Sequence, residues 1–274
     1  MNKILVPTDF SEQAENALHV AAILARKHNA EIYLLHMMEI PMQHADPGSA
    51  RSDVPEALFF MKLAHKKFED LMNSDFLKGI TVHETVKSEL SFNEIKEACE
   101  EFDVDLIVMG SHGATGLKEM FVGSNAEKVV RSSEVPVLVI KNKHQTFEIS
   151  DFVFASDFSN DNIKTYKQAV KFIRSFDATM HLLLVNTVNN FLTTYEAKTR
   201  IKDFVSVEKY DKQTITIIND HSVESGILNF SKDINADLIG ICTHGRQGIA
   251  HFLNGSISED LVNHANRPVI TFKI

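Results

Sequence analysis

A glycine-rich stretch, residues 110–125, holds the residues whose types and spacing are best suited to binding an anion. Its fixed positions are Gly110, Gly113, Gly123, Ser124 and Asn125. It follows an apolar run at residues 105–109 and precedes apolar positions at helical spacing, so Ser124 is predicted as a helix N-cap. Glycines let the backbone approach a phosphate, and the unpaired N–H groups of a helix start point towards it. The stretch therefore predicts a phosphate site.

The spacing of the glycines separates this loop from two common phosphate-binding loops. A P-loop needs Gly, four residues and then Gly-Lys-Ser/Thr, and a dinucleotide fingerprint needs Gly-x-Gly-x-x-Gly close after the first strand. Here two residues separate Gly110 from Gly113, and nine separate Gly113 from Gly123. The alternative, an ordinary glycine-rich turn without a ligand, stays open at this point.

A carboxylate, Asp9, is the second candidate group. It follows the short apolar run Ile4–Val6 and precedes Ser11, which is predicted to cap a helix with a stripe of small residues. At a strand end, Asp9 could accept a hydrogen bond from a ribose hydroxyl or an adenine amine, or hold Mg²⁺ that accompanies phosphates. The alternative role for Asp9 is that of a turn or capping residue before the helix.

The elements that must position these groups alternate along the chain between short apolar strands and amphipathic helices. The first repeat predicts strands at residues 4–6, 32–37, 81–86 and 105–109, a surface loop at 40–55, and helices from Ser11, from about Glu56 to Leu71 and from Asn93 to Phe102. Alternating βα units predict a doubly wound parallel sheet in the α/β class. Such sheets bind ligands at the carboxyl ends of their strands, which brings Asp9 and Gly110 to one edge.

The pattern occurs twice. Residues 4–11 return as 153–159, the glycine stretch returns as 242–256, and the closing strand at 135–140 returns at 267–272. We therefore predict two tandem domains, residues 1–143 and 148–274, joined by a polar linker.

The Gly-2x-Gly-9x-Gly-Ser loop, with its strand before and helix after, resembles that of the universal stress protein family in its ATP-binding branch. The resemblance covers nearly the whole chain and implies two Rossmann-like domains of the adenine nucleotide alpha hydrolase type. It implies ATP or AMP as the ligand, with Mg²⁺ at Asp9 accompanying ATP. The nucleotide-binding residues that it implies are Pro7, Thr8, Asp9, Met37, Gly110, Gly113, Gly123, Ser124 and Asn125.

The second repeat keeps part of this pattern. Its counterparts are Asp157, Gly245, Gly255 and Ser256, a second nucleotide site by the same resemblance. Cys242, however, stands in the place of Gly110, and its side chain is expected where the family backbone runs close to the nucleotide, which argues against binding there. Cys242 is interpreted as a substituted loop residue, with a reactive thiol as the alternative.

Composition excludes several classes of function. The net charge is −9 at pH 7, which disfavours nucleic-acid binding because phosphates require a basic surface. No apolar run approaches the roughly 20 residues of a membrane span, and we expect a cytoplasmic protein without a signal peptide. Two cysteines at non-equivalent positions indicate neither a disulfide framework nor a zinc site.

Two functional classes remain. The first is a stress-response regulator that binds an adenine nucleotide and hydrolyses it slowly at most, since neither a Walker lysine nor a Ser-His-Asp order is present. The second is a scaffold that keeps the fold without a ligand. An adenylating enzyme would need a further substrate domain, for which the chain has no spare length.

The resemblance also implies that the closing strands pair, here within one chain as a pseudo-dimer, with a homodimer of such chains as a further option.

Overall fold

Strands and helices alternate through the part of the chain that the computed structural model describes, which is residues 1–37, 53–87, 92–111, 124–243 and 261–274. The strands are β1 (Lys3–Pro7), β2 (Glu31–Met37), β3 (Val82–Lys87), β4 (Leu106–Gly110), β5 (Val137–Ile140), β6 (Asp151–Ala155), β7 (Thr179–Asn186), β8 (Gln213–Asn219), β9 (Leu238–Thr243) and β10 (Val269–Lys273). The helices are α1 (Glu12–His28), α2 (Asp53–Met72), α3 (Phe92–Phe102), α4 (Ser124–Ser132), α5 (Ile163–Arg174), α6 (Thr194–Val205) and α7 (Val223–Asp233). Residues 261–264 are also helical.

All ten of these strands form one sheet, in the order β3-β2-β1-β4-β5-β10-β9-β6-β7-β8. Strands within each half are parallel, and the halves meet where β5 and β10 pair antiparallel, with Leu138 opposite Ile270. The second half thus repeats the first in reverse order. The expected α/β architecture of two doubly wound parallel halves is confirmed, and so is the pairing of the closing strands within one chain, which joins the halves into one sheet.

The strands are buried on both faces, as parallel strands between two helix layers must be. In β1, Ile4 and Val6 pack on the α1 and α2 side, whereas Leu5 packs on the α3 and α4 side. Small buried residues of α1, Ala14, Ala17, Ala21, Ala22 and Ala25, let this helix lie close to the sheet. The close-packed helices therefore hold the carboxyl ends of the strands in place in both halves of the sheet.

The predicted strands and the third helix differ from the observed bounds by about one residue, and two helix starts differ in ways that matter more. Helix α2 begins at Asp53, inside the loop predicted at 40–55, because Pro55 falls in its first turn, where a missing N–H costs nothing. Helix α4 begins at Ser124 itself, one residue earlier than an N-cap role for Ser124 implies. Among the described residues, no helix combines the length and the apolarity needed to cross a bilayer.

Candidate functional site

The turn between β1 and α1 presents Asp9 at the carboxyl edge of the first half. The Thr8 hydroxyl accepts a hydrogen bond from the Phe10 N–H (3.0 Å), and Asp9 Oδ1 accepts one from the Ser11 N–H (3.0 Å). These bonds hold Phe10 in the left-handed region, with φ 61°, an uncommon conformation for a bulky residue. Ser11 then caps α1, as predicted, by accepting from Ala14 N–H. Asp9 therefore has a structural role as a turn residue, and its exposed carboxylate also lies where a ligand could reach it.

The second half builds the same turn from different residues. Ser156 Oγ accepts from the Phe158 N–H (3.0 Å), Asp157 Oδ1 accepts from the Ser159 N–H (2.9 Å), and Phe158 has φ 55°. Two sequences that share only an Asp-Phe-Ser core thus adopt one strained turn. Backbone strain kept in both repeats is typical of a functional site.

Asp157 is held more firmly than the turn alone requires. Asn162, 2% exposed, donates from Nδ2 to Asp157 Oδ1 at 2.6 Å. Ser159 and Asn162 therefore share the same carboxylate oxygen. Among the described residues, no hydrogen bond engages the other oxygen, Oδ2, which is thus available to a hydrogen-bond donor of a ligand.

Strand β2 adds a residue that the sequence analysis did not single out. His36 Nδ1 lies 2.8 Å from the Thr8 carbonyl oxygen, and its ring centroid is 4.6 Å from that of Phe10. Burial lowers the pKa of His36, with Lys67 adding to the effect, while the Thr8 carbonyl and Asp9 oppose it. The neutral ring therefore donates from Nδ1 and keeps Nε2 as an acceptor. A polar side chain inside an apolar strand was the available signal. Met37, one of the implied nucleotide-binding residues, ends the same strand.

Gly110 lies at the end of β4, where its lack of a side chain is required by packing. A Cβ at this position would lie 2.8 Å from the Gln13 carbonyl oxygen, in the first turn of α1. The glycine thus lets helix and strand approach closely, whether or not a nucleotide is bound.

Cys242 occupies the matching position in β9, and its placement corrects the prediction. Its thiol is buried beneath α5, with Sγ 3.0 Å from Thr165 Oγ1. The space exists because α5 begins only at Ile163, after a 3₁₀ turn at Asn160–Asn162. Burial raises the pKa of Cys242 to about 12, so the reactive-thiol alternative is wrong as well. The argument against a second site therefore loses its physical basis.

A cavity of about 380 Å³ lies beside Asp157 at the carboxyl edge of the second half. Leu184 and Val185 of β7 line it, together with residues 189–192 and Arg200 of α6. By strand register, Val185 is the counterpart of Met37. Apolar walls with a few converging polar groups are typical of a small-molecule site.

Several predicted positions lie outside the described residues. Gly113, Gly123, Gly245, Gly255 and Ser256 are in this group, and for Ser124 and Asn125 the structure describes only the start of α4. Pro7, Thr8, Asp9, Met37 and Gly110 all lie at the ends of adjacent strands β1, β2 and β4. No cluster of three or more His, Cys, Asp or Glu with metal-binding geometry is present within the described ranges.

Taken together, the fold and the edge define a tandem α/β protein with a strand-end aspartate in each half and a cavity beside Asp157. The family model described as the universal stress protein family matches residues 1–141 and 149–273. The chain therefore belongs to the universal stress protein family, in a tandem form.

Relatives match one repeat or the whole chain. Universal stress protein MJ0577 of Methanocaldococcus jannaschii is 38% identical over 52% of this chain and 96% of its own. A universal stress protein of Synechocystis is 26% identical, with 100% of both chains covered. A solved universal stress protein from Archaeoglobus fulgidus covers 99% of this chain and 98% of its own at a TM-score of 0.70, and its 23% identity supports the fold alone.

Proposed function

We propose that this protein binds an adenine nucleotide, ATP or AMP, at the carboxyl edge of its sheet, mainly in the first repeat, and acts as a cytoplasmic stress-response regulator. The observation that carries the proposal is the strained turn that presents Asp9 and Asp157 near the strand positions of Met37 in β2 and Val185 in β7. A rigid carboxylate next to an apolar wall suits a nucleoside, whose sugar hydroxyls donate and whose base is flat and apolar on its faces.

In this proposal the base lies against Met37, the ribose donates to Asp9, and the phosphates meet the loop through Gly113 and Gly123 to the start of α4. A helix start attracts phosphate because its first N–H groups are unpaired. Mg²⁺ would accompany ATP through its phosphates, with Asp9 as the protein carboxylate nearest to it. Hydrolysis is slow at most, since the sequence has no Walker lysine motif. The two nucleotide-binding domains are residues 1–143 and 148–274.

The second candidate is a scaffold without a ligand. It is favoured by the turn hydrogen bonds, which give Asp9 and Asp157 a structural role even in an empty site. The two candidates differ in the role of Oδ2 of each aspartate: it accepts a hydrogen bond from the ligand in a nucleotide-binding protein and has no ligand in a scaffold.

The first test uses Asp9→Asn and Asp157→Asn. Each amide keeps an oxygen that accepts the turn hydrogen bond, while a donor replaces the oxygen offered to the ligand. Asp233→Asn, at the exposed end of α7, is the matched control. Nucleotide released by denaturing the purified protein is identified by chromatography, and the affinity for AMP and ATP is measured by calorimetry.

We expect about one adenine nucleotide per chain, and about a tenfold or greater loss of affinity at the first site in Asp9→Asn, because a charge-assisted hydrogen bond is lost. Asp233→Asn should bind like the wild type. No released nucleotide, together with an unchanged melting temperature in millimolar Mg-ATP, would leave the scaffold as the function.

A further inference from the structure

The second helix of each repeat places a cation beside the turn that follows the first strand. On α2, Lys67 precedes the buried Phe68, and its Nζ lies 5.0 Å from the centroid of the Phe10 ring. On α6, Arg200 precedes the buried Ile201, and its Nη1 lies 3.5 Å from the Asp157 carbonyl oxygen. Each repeat thus has a cation on its second helix near this turn, an ammonium on α2 and a guanidinium on α6.

Most of the hydrogen-bonding capacity of Arg200 is unused by the described part of the chain. A guanidinium has five N–H donors in a planar fork, and the contact with Asp157 is at the upper limit of hydrogen-bond distance. Arg200 makes no ion pair with any residue in the described ranges, and it lines the 380 Å³ cavity. The fork is therefore available to whatever occupies this cavity.

In the nucleotide orientation of the proposed function, Arg200 lies at the base end of the cavity and not at its phosphate end. The wall beside it is formed by Leu184 and Val185, and Val185 matches Met37, the proposed neighbour of the base. The glycine loop that would hold phosphates follows β9, which lies on the opposite side of β6 from β7. This step rests on the proposed function, because it takes the orientation of the nucleotide from it.

We propose that the second repeat binds an oxo-purine nucleotide, with Arg200 donating in bidentate fashion to O6 and N7 of the base. A guanine or hypoxanthine base presents two adjacent acceptors on this edge, which match the guanidinium fork. Adenine presents an amino donor at position 6, which would face the donors of Arg200. Lys67 carries a compact ammonium and no planar fork, so the first repeat lacks this bidentate guanidinium contact.

The test compares IMP with AMP, since the two differ at position 6, where IMP has an oxygen and AMP an amino group. Affinities are measured by calorimetry on the full-length Asp9→Asn protein, in which the first site is weakened. In this background, Arg200→Gln and Arg200→Lys remove the fork. Lys198→Gln, an exposed position on the same helix, makes the same change of charge and is the control.

The second site should bind IMP about tenfold or more tightly than AMP, and Lys198→Gln should keep that preference. Arg200→Lys should weaken it, because an ammonium still donates to O6 and N7 but lacks the planar fork, and Arg200→Gln should shift it towards AMP, because a glutamine amide matches N6 and N7 of adenine. Equal affinity for IMP and AMP, or equal effects of Arg200→Gln and Lys198→Gln, would overturn the inference. If the wild-type chain still binds an adenine nucleotide at the Asp9 site, the proposed function stands without this inference. If the protein binds no nucleotide at all, both the proposed function and this inference are wrong.

Discussion

Gly110 and Cys242 occupy matching positions in the two halves, but the helix that packs against each lies at a different distance. In the first half, the start of α1 is so close that a Cβ at Gly110 would lie 2.8 Å from a backbone oxygen. In the second half, the later start of α5 makes room for a thiol that contacts Thr165. The residue type at this position thus matches how closely the neighbouring helix, α1 or α5, packs against the strand, and a glycine there is not by itself a sign of a ligand.

His36 gives a pH dependence that can be measured. Burial lowers its pKa in the folded protein below the ordinary 6.5, so its contribution to stability is present above that value and is lost as the pH falls through the lower, folded-state pKa. We expect the free energy of unfolding to fall below about pH 6.5, and to fall less steeply in His36→Leu, which copies Leu184 of the second repeat. Urea unfolding between pH 5 and 8 measures this.

The control for His36 is His221→Leu, at an exposed position. This variant should keep the pH slope of the wild type. The same slope in His36→Leu and in the wild type would contradict the assignment of a neutral, buried imidazole to His36.

At the scale of elements, the turn after the first strand combines structure and function. It satisfies the N–H groups of Phe10 and Ser11 with side-chain oxygens, and it thereby leads β1 into α1 while presenting Asp9. Ser156 performs for Phe158 what Thr8 performs for Phe10. A hydroxyl is needed at this position because it accepts a hydrogen bond from the backbone N–H of the residue in the left-handed conformation.

Thr8→Val tests this turn, since it removes the hydroxyl while preserving the shape of the side chain. Thr8 is buried, so an unsatisfied Phe10 N–H should lower the free energy of unfolding by about 1–3 kcal/mol. Nucleotide affinity should also fall, because Asp9 would be held less rigidly. Urea unfolding and calorimetry provide the two measurements. Thr81→Val, on an exposed side chain, should change neither, and a fully stable Thr8→Val protein would refute the role of the hydroxyl.

At the scale of the whole molecule, the antiparallel pairing of β5 with β10 joins the two halves into one sheet. Leu138 and Ile270 face each other there with no exposed surface. Lys141 Nζ donates to the Asn263 carbonyl oxygen across the junction (2.5 Å), and burial lowers the pKa of Lys141 to about 8. Lys273 of β10 also pairs with Glu134 (2.7 Å). The pairing covers two strand edges that would otherwise be open to other chains.

Ile270→Ala tests whether the halves depend on each other. Truncating this fully buried side chain should cost about 2–5 kcal/mol, and the loss should reach the first half through β5. Hydrogen exchange at the amides of β4 and β5, followed by mass spectrometry, measures the effect on that half. Ile215→Ala on β8, where the side chain is 45% exposed, is the control and should cost less than about 1 kcal/mol. Unchanged protection of β4 and β5 in Ile270→Ala would show that the halves unfold independently.

Much of the fold was predictable because it depends on local patterns. Apolar runs such as Ile4–Val6 lie on strands, and the alanine stripe of α1 lies on the sheet, since burial on two faces leaves a clear signature in sequence. The bounds of α2 were less accurate, because a proline at position 55 reads as a loop residue but is also tolerated in a first turn. His36 and Arg200 were missed because their importance depends on residues far away in the chain.

The sequence by itself determined the class of fold, the tandem repeat and the aspartate at each strand end, because periodicity and repetition are properties of the chain alone. The tertiary structure decided that the thiol of Cys242 lies under α5, that His36 is bonded to Thr8, and that Arg200 reaches the pocket beside Asp157. Each of these depends on the distance between two elements, which is set by how closely helices pack on the sheet for Cys242 and Arg200, and by the pairing of β1 with β2 for His36.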